Sequence, residues 1–137
     1  MIETYRGIVY PHQLDHMGHM NIQWYAAKFD EATWHFLSAI GITSAYIKEH
    51  HQGMAALEQK TQFKSEVNVG QLLLIRTRLL AVNEKTVRFL HIMYDAETME
   101  EAARCELMGI HFDRRQRKST PFPAVVREQC ALLKQDS

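Results

Sequence analysis

Residues 11–21, Pro11-His12-Gln13-Leu14-Asp15-His16-Met17-Gly18-His19-Met20-Asn21, gather one carboxylate, three histidines and a glycine in front of a long apolar segment that begins at Ile22. Helix N-termini present unpaired N–H groups and partial positive charge, so a reaction that develops an anion is at home there. Asp15 is the strongest candidate in the stretch. A lone aspartate after a strand is usually a turn former or a helix cap. Here Gly18 follows three residues later and a helix is expected within seven, which sets the carboxylate near backbone N–H groups aimed at an oxyanion. A base or nucleophile beside preformed donors is the minimum equipment for acyl transfer.

The other polar residues divide between chemistry and scaffolding. His12, Asp15, His16 and His19 are all metal-ligand types, but they show no regular spacing and no evident second shell, so no metal site is expected. His19, next to the helix start, reads as a structural or substrate-positioning group, and His16 as exposed. Glu58 sits in an apolar stretch, Met54-Ala-Ala-Leu57, and either faces outward or assists Asp15 across a subunit boundary. Trp24 and Trp34 are core or interface aromatics first. Arg114, Arg115, Arg117 and Lys118 form a solvated run that also suits the phosphates of a nucleotide-bearing thioester. Cys105 and Cys130 lack an activating neighbour and CxxC spacing, so neither a thiol nucleophile nor a disulfide scaffold is expected. The chain contains no Gly-rich phosphate loop and no nucleophile elbow.

Periodicity supplies the scaffold for these groups. Residues 2–10 are rich in β-branched and aromatic side chains and close at Pro11, which predicts a strand. From Ile22 to Ile40, Tyr25, Phe29, Ala32, Phe36 and Ile40 recur at helical steps. Ile22, Ala26, Thr33 and Leu37 broaden the stripe, and Lys28, Asp30, Glu31 and His35 mark a polar edge. Asn21 suits the N-cap and Gly41 the stop. Residues 43–51 predict a short helical turn or a loop, with Gly53 as a breaker. Strands are expected over 54–67, 72–82, 86–95 and 102–112, joined by short connections into an antiparallel meander. Pro121-Phe122-Pro123 imposes an extended segment before a closing helix over 124–134. One strand, one long apolar helix and four antiparallel strands pack most economically as an α+β single domain over residues 1–137, with a sheet wrapped around the helix. The open edge and outer face favour self-association.

The chain has 137 residues, 46% of them hydrophobic and 23% charged, which is ordinary for a globular domain. Sixteen basic residues balance sixteen acidic ones, so no overall field favours nucleic acid or an anionic membrane. Neither a membrane span nor a signal peptide is expected, and two unpaired cysteines fit a reducing, cytoplasmic setting.

Leu14-Asp15-His16-Met17-Gly18-His19-Met20-Asn21, followed by Tyr25, Phe29 and Ala32, resembles the signature of hotdog-fold acyl-CoA thioesterases of the 4-hydroxybenzoyl-CoA thioesterase type. The resemblance continues through Glu66-Val-Asn-Val-Gly70, Glu84-Lys85-Thr86, Asp113 and Pro121-Phe122-Pro123, nearly the whole chain. Gln71 departs from it where many relatives carry aspartate, at a structural position. The resemblance implies an antiparallel sheet around one helix, paired into a homodimer or a homotetramer with sites at the interface, and no metal or prosthetic cofactor beyond the coenzyme A of the substrate. It further implies that Asp15 attacks the thioester carbonyl or activates water. N–H groups near Asn21 and Ile22 would hold the thioester oxygen, with His19 and Gly18 shaping the loop. Ala-Ala-Leu-Glu58 and Lys85-Thr-Val-Arg-Phe-Leu-His91 resemble the thioesterases of carnitine breakdown, which hydrolyse betainyl-CoA. Glu58, Trp24 or Tyr25 would then favour a cationic acyl group. Two other readings compete: a hotdog dehydratase using His35 with Glu31, and a hotdog module that binds acyl-CoA without turning it over.

Overall fold

The computed structural model of the chain describes residues 1–135. Strand β1 (Ile2–Ile8) leads through a single 3-10 turn (Pro11–Gln13) and the Asp15 loop into helix α1 (Ile22–Ala39). Helix α2 (Ser44–His50) comes next, then β2 (Gln52–Phe63), β3 (Leu72–Val82), β4 (Thr86–Asp95), β5 (Glu101–Asp113), the two-residue β6 (Lys118–Ser119) and α3 (Ala124–Gln135). The main path of the sheet runs β1-β3-β4-β5-β2, with β6 beside β5 and every pairing antiparallel.

That order corrects the expected four-strand meander. Only β3, β4 and β5 form one; β2 does not pair with β3. It lies at the far edge, where Gln52 faces Asp113 and Phe63 faces Ala103. The outer flank of β3 is already taken by β1, through pairs from Ile2–Thr77 to Ile8–Leu72. The strand expected to reach residue 67 therefore ends at Phe63. The N–H groups of Lys64 and Ser65 both turn to the Ala102 carbonyl, at 2.8 and 3.1 Å, and the chain crosses the sheet. At the crossing, the Val67 carbonyl accepts Met20 N–H at 2.8 Å, tying the crossover to the Asp15 loop.

Helix α1 begins at Asn21, whose side chain accepts Gln23 N–H at 2.9 Å, and it gives way at Gly41, where φ is +97°. Tyr25, Phe29, Ala32, Phe36 and Ile40 are buried as the periodicity requires. The buried arc is rotated from the expected one. Lys28, read as part of the polar edge, is buried, whereas Ile22 and Ala26 are exposed. The helix lies on a curled sheet rather than inside a closed one, so only one arc is covered. Ile22, Trp34, Leu57 and Phe63 remain at least half exposed.

Two apolar clusters sit under α1. Phe29, Ala32, Ile75 and Met93 belong to the first, beneath its N-terminal half. Phe36, Ile40, Phe89 and Val126 belong to the second, which α3 helps to close. Between them stands His91, fully buried, with its ring 5.9 Å from Phe29 and 5.2 Å from Phe89.

Candidate active site

Residues 14–20 close on themselves. Leu14 and Met20 form an isolated antiparallel bridge; Asp15 N–H donates to the His19 carbonyl at 2.7 Å and Gly18 N–H to the Asp15 carbonyl at 3.1 Å. Such a loop needs one residue in the left-handed region, and Gly18 supplies it at φ +81°. No atom would stand within 4 Å of a Cβ there, so the requirement is conformational rather than steric.

The loop orients the Asp15 carboxylate. Its Oδ1 accepts Met17 N–H at 2.8 Å and His19 N–H at 3.2 Å, leaving Oδ2 without a hydrogen bond among the described residues. Desolvation pushes the carboxyl upward, but the His19 and Met17 N–H groups outweigh it and hold Asp15 below the usual carboxylate range. It is therefore ionised at any neutral pH. Across the loop, His19 Nε2 lies 3.2 Å from Glu66 Oε2, a contact made by the crossover after β2.

Immediately beyond is the start of α1. Gln23 N–H goes to the Asn21 side chain and Trp24 N–H to the Asn21 carbonyl, both at 2.9 Å. Among the described residues, Ile22 N–H has no acceptor, so it is the open donor at the positive end of the helix. Beside it, His19, Ile22, Tyr25, Phe63 and Glu66 line an open pocket of about 350 Å³. Tyr25 and Phe63 meet edge to face with ring centroids 5.0 Å apart. Burial, then the charges of Asp15 and Glu66, push the Tyr25 hydroxyl above its ordinary pKa.

Of the residues expected at the site, His19, Ile22 and Tyr25 line this pocket, Asp15 and Gly18 lie in the loop just before it, and Asn21 caps the helix that bounds it. Trp24 points elsewhere: it meets His12 edge-on at 5.3 Å and lines a cleft toward β1. Glu58 is exposed on the edge strand, opposite Met108 and next to a bulge. Arg114, Arg115 and Arg117 lie in the exposed turn after β5, by the start of β2, where Arg115 reaches His51 at 2.6 Å. The length of β2, twelve residues and on the order of 35 Å, separates that turn from Phe63. Among the described residues no group of three or more His, Cys, Asp or Glu could hold a metal ion, and no helix is long and apolar enough to cross a membrane. Glu31 and His35 are exposed on α1. Glu66 and Phe63 were not expected here, because only the β2–β5 register and the crossover after it carry them to the helix start.

A curled antiparallel sheet carrying one long helix, with an ionised carboxylate at that helix's open N-terminus, defines a class of α+β protein. The chain belongs to the thioesterase-like superfamily, whose family model matches residues 9–130. The L-carnitine dehydrogenase/betainyl-CoA thioesterase of Rhizobium meliloti is 31% identical over 113 residues, 82% of this chain and 23% of that protein, so the chain spans about a quarter of that relative's length. The betainyl-CoA thioesterase of Pseudomonas aeruginosa is 28% identical over 133 residues, 97% of this chain and 84% of that one. Among solved structures, a Staphylococcus aureus protein in complex with CoA superposes with a TM-score of 0.92 at 20% identity, covering 100% of this chain and 88% of the other. The 1,4-dihydroxy-2-naphthoyl-CoA thioesterase of Synechocystis superposes at 0.81 with 17% identity, covering 93% of each. At these identities the likeness is one of fold, and the fold is the hotdog expected from residues 14–21 with Tyr25, Phe29 and Ala32.

Proposed function

We propose that the protein hydrolyses acyl-CoA thioesters, releasing a free acid and CoA. The observation that carries this reading is an ionised Asp15, held by Met17 and His19 N–H on the loop that leads into α1, followed by a helix start where Ile22 N–H has no acceptor among the described residues. The thioester oxygen would accept from Ile22 N–H, which strengthens as the tetrahedral oxyanion develops. Asp15 either adds to the carbonyl carbon through Oδ2, giving an anhydride that water then opens, or takes the proton of an attacking water; in both routes CoA leaves as the thiolate. No step calls on a metal or a prosthetic group.

A single copy leaves this site open on its β2 side. Antiparallel pairing of two β2 edges about a two-fold axis sets the Gln52 end of one copy beside the Phe63 end of the other. That arrangement would carry residues 114–117 of the second copy toward the Asp15 loop of the first, and supports a homodimer with Arg114, Arg115 and Arg117 placed for the nucleotide phosphates. Glu58, on the same edge strand, would fall at the interface.

For the acyl group we propose a cationic class. The edge-to-face pair of Tyr25 and Phe63 with the Glu66 carboxylate nearby suits a quaternary ammonium, and two relatives are named for betainyl-CoA hydrolysis. The test is thiol release from a panel of cationic, aromatic and aliphatic acyl-CoAs. Turnover led by the cationic member, and lowered selectively by Glu66→Gln, is the expected result. Aliphatic substrates turned over equally well would overturn the cationic assignment, and an inert panel would overturn the hydrolase.

A further inference from the structure

On the other side of α1 the chain builds a second cleft, separate from the pocket that His19, Tyr25 and Glu66 line. Trp24, Ala27, Lys28 and Glu31, spaced by three and four residues, face β1 across a space of about 250 Å³. Lys28 is only 5% exposed. Its Nζ donates to the Tyr5 hydroxyl at 2.8 Å and to the Ile8 carbonyl at 3.4 Å, and stands 5.3 Å from the centre of the Tyr5 ring. These acceptors are neutral. Burial pushes the ammonium below the usual lysine range, the Glu31 charge offsets part of that, and among the described residues Lys28 forms no ion pair. A buried ammonium without a counterion is costly, and two of its three donors are engaged.

The surroundings are shaped for an occupant. Gly7 leaves the room that the Tyr5 hydroxyl uses; a Cβ there would collide with it. Arg6, at the rim, is exposed and pairs with Glu3 at 2.8 Å, whereas Lys28 is the buried cation of the cleft. Glu31, one turn from Lys28 on the same helix face, disfavours a second negative charge. Tyr10 and Trp24 supply aromatic surface, and the volume sits below the usual range for drug-sized ligands. We infer that the β1–α1 cleft is a binding site for a small aromatic monocarboxylate, its acid group paired with Lys28 and the Tyr5 hydroxyl and its ring lying against Trp24 and Tyr10. The site is independent of the thioesterase reading. Gln13 also lines the cleft, and its carbonyl accepts Asn21 N–H at 2.8 Å, so an occupant would touch the turn that carries the cap of α1.

Titration calorimetry of the full chain with sodium benzoate tests the assignment. Saturable binding is expected in the wild type and in Asp15→Ala, weakened about tenfold or more in Lys28→Met through loss of the charge-assisted bond. Ala27→Phe, at an exposed helical position, should fill the cleft and abolish binding, and it keeps the test decisive should Lys28→Met not fold. Absence of saturable binding in the wild type, or binding that survives Ala27→Phe, would overturn the inference. Loss of binding in Asp15→Ala alone would assign benzoate to the acyl pocket instead. Equal affinity for inorganic phosphate would overturn the carboxylate assignment.

Discussion

His91 Nε2 lies 2.8 Å from the Thr33 hydroxyl, joining the middle of β4 to the middle of α1 between the two apolar clusters. The direction of the bond is set by its neighbours. The Thr33 hydroxyl donates to the Phe29 carbonyl at 3.0 Å, so its oxygen must accept from His91 Nε2–H. His91 Nδ1 then accepts from the Thr77 hydroxyl at 2.6 Å; the Thr77 and Thr4 hydroxyl oxygens lie 2.8 Å apart, and Thr4 also reaches the Ile75 carbonyl at 3.3 Å. These contacts tie β1, β3, β4 and α1 together around one buried imidazole.

Burial pushes the His91 pKa from 6.5 down to about 3. The unfolded chain thus binds a proton there before the folded one does, and stability falls as pH drops from about 6.5 toward 3. The slope from this group approaches about 1.4 kcal/mol per pH unit. Urea denaturation between about pH 7 and pH 4 should show a shallower decline in His91→Gln than in the wild type. Parallel curves would place the acid sensitivity elsewhere.

Asn21 caps the helix whose first N–H is the proposed oxyanion donor. Asn21→Ala should cost about 1 kcal/mol of stability and lower kcat more than it raises KM, because Ile22 N–H loses its fixed direction. Asn21→Asp keeps an acceptor for Gln23 N–H and should retain most of both. Denaturation curves read beside steady-state kinetics check the pair.

These features differ in how far they can be read from sequence. Asn21, Gly41 and the stripe from Tyr25 to Ile40 are legible because capping and helical periodicity act within a few residues. The Asp15 loop is legible for the same reason, since Gly18 and His19 close it locally. The partner of β2 is not legible: residues 54–63 carry no local mark that says β5 rather than β3, and the competitor for the β3 edge lies some seventy residues away in β1. Lys28 reads as a surface lysine until β1 is laid over it. The links between His19 and Glu66, and between His91 and Thr33, are likewise invisible until the sheet order brings distant segments together.

The Arg114, Arg115 and Arg117 turn is predicted to act on the nucleotide of a substrate held by the second subunit. Replacing all three by Gln should raise KM for acyl-CoA by roughly tenfold with kcat nearly unchanged, and should flatten the dependence of KM on salt. Against a truncated thioester that lacks the nucleotide, the triple variant should match the wild type. A kcat defect on both substrates would remove these arginines from phosphate binding.

The most direct measurement is CoA thiol release by wild type, Asp15→Asn and Asp15→Ala, each shown to be folded by circular dichroism. Asp15→Asn keeps an oxygen able to accept Met17 and His19 N–H but removes the negative charge, so it separates the chemistry of the carboxylate from its part in closing the loop. Both variants are predicted to lose roughly a hundred- to ten-thousand-fold in kcat, as expected for removal of a base or nucleophile. Thiol release at the wild-type rate in either folded variant would contradict the assignment of Asp15 as the reacting group.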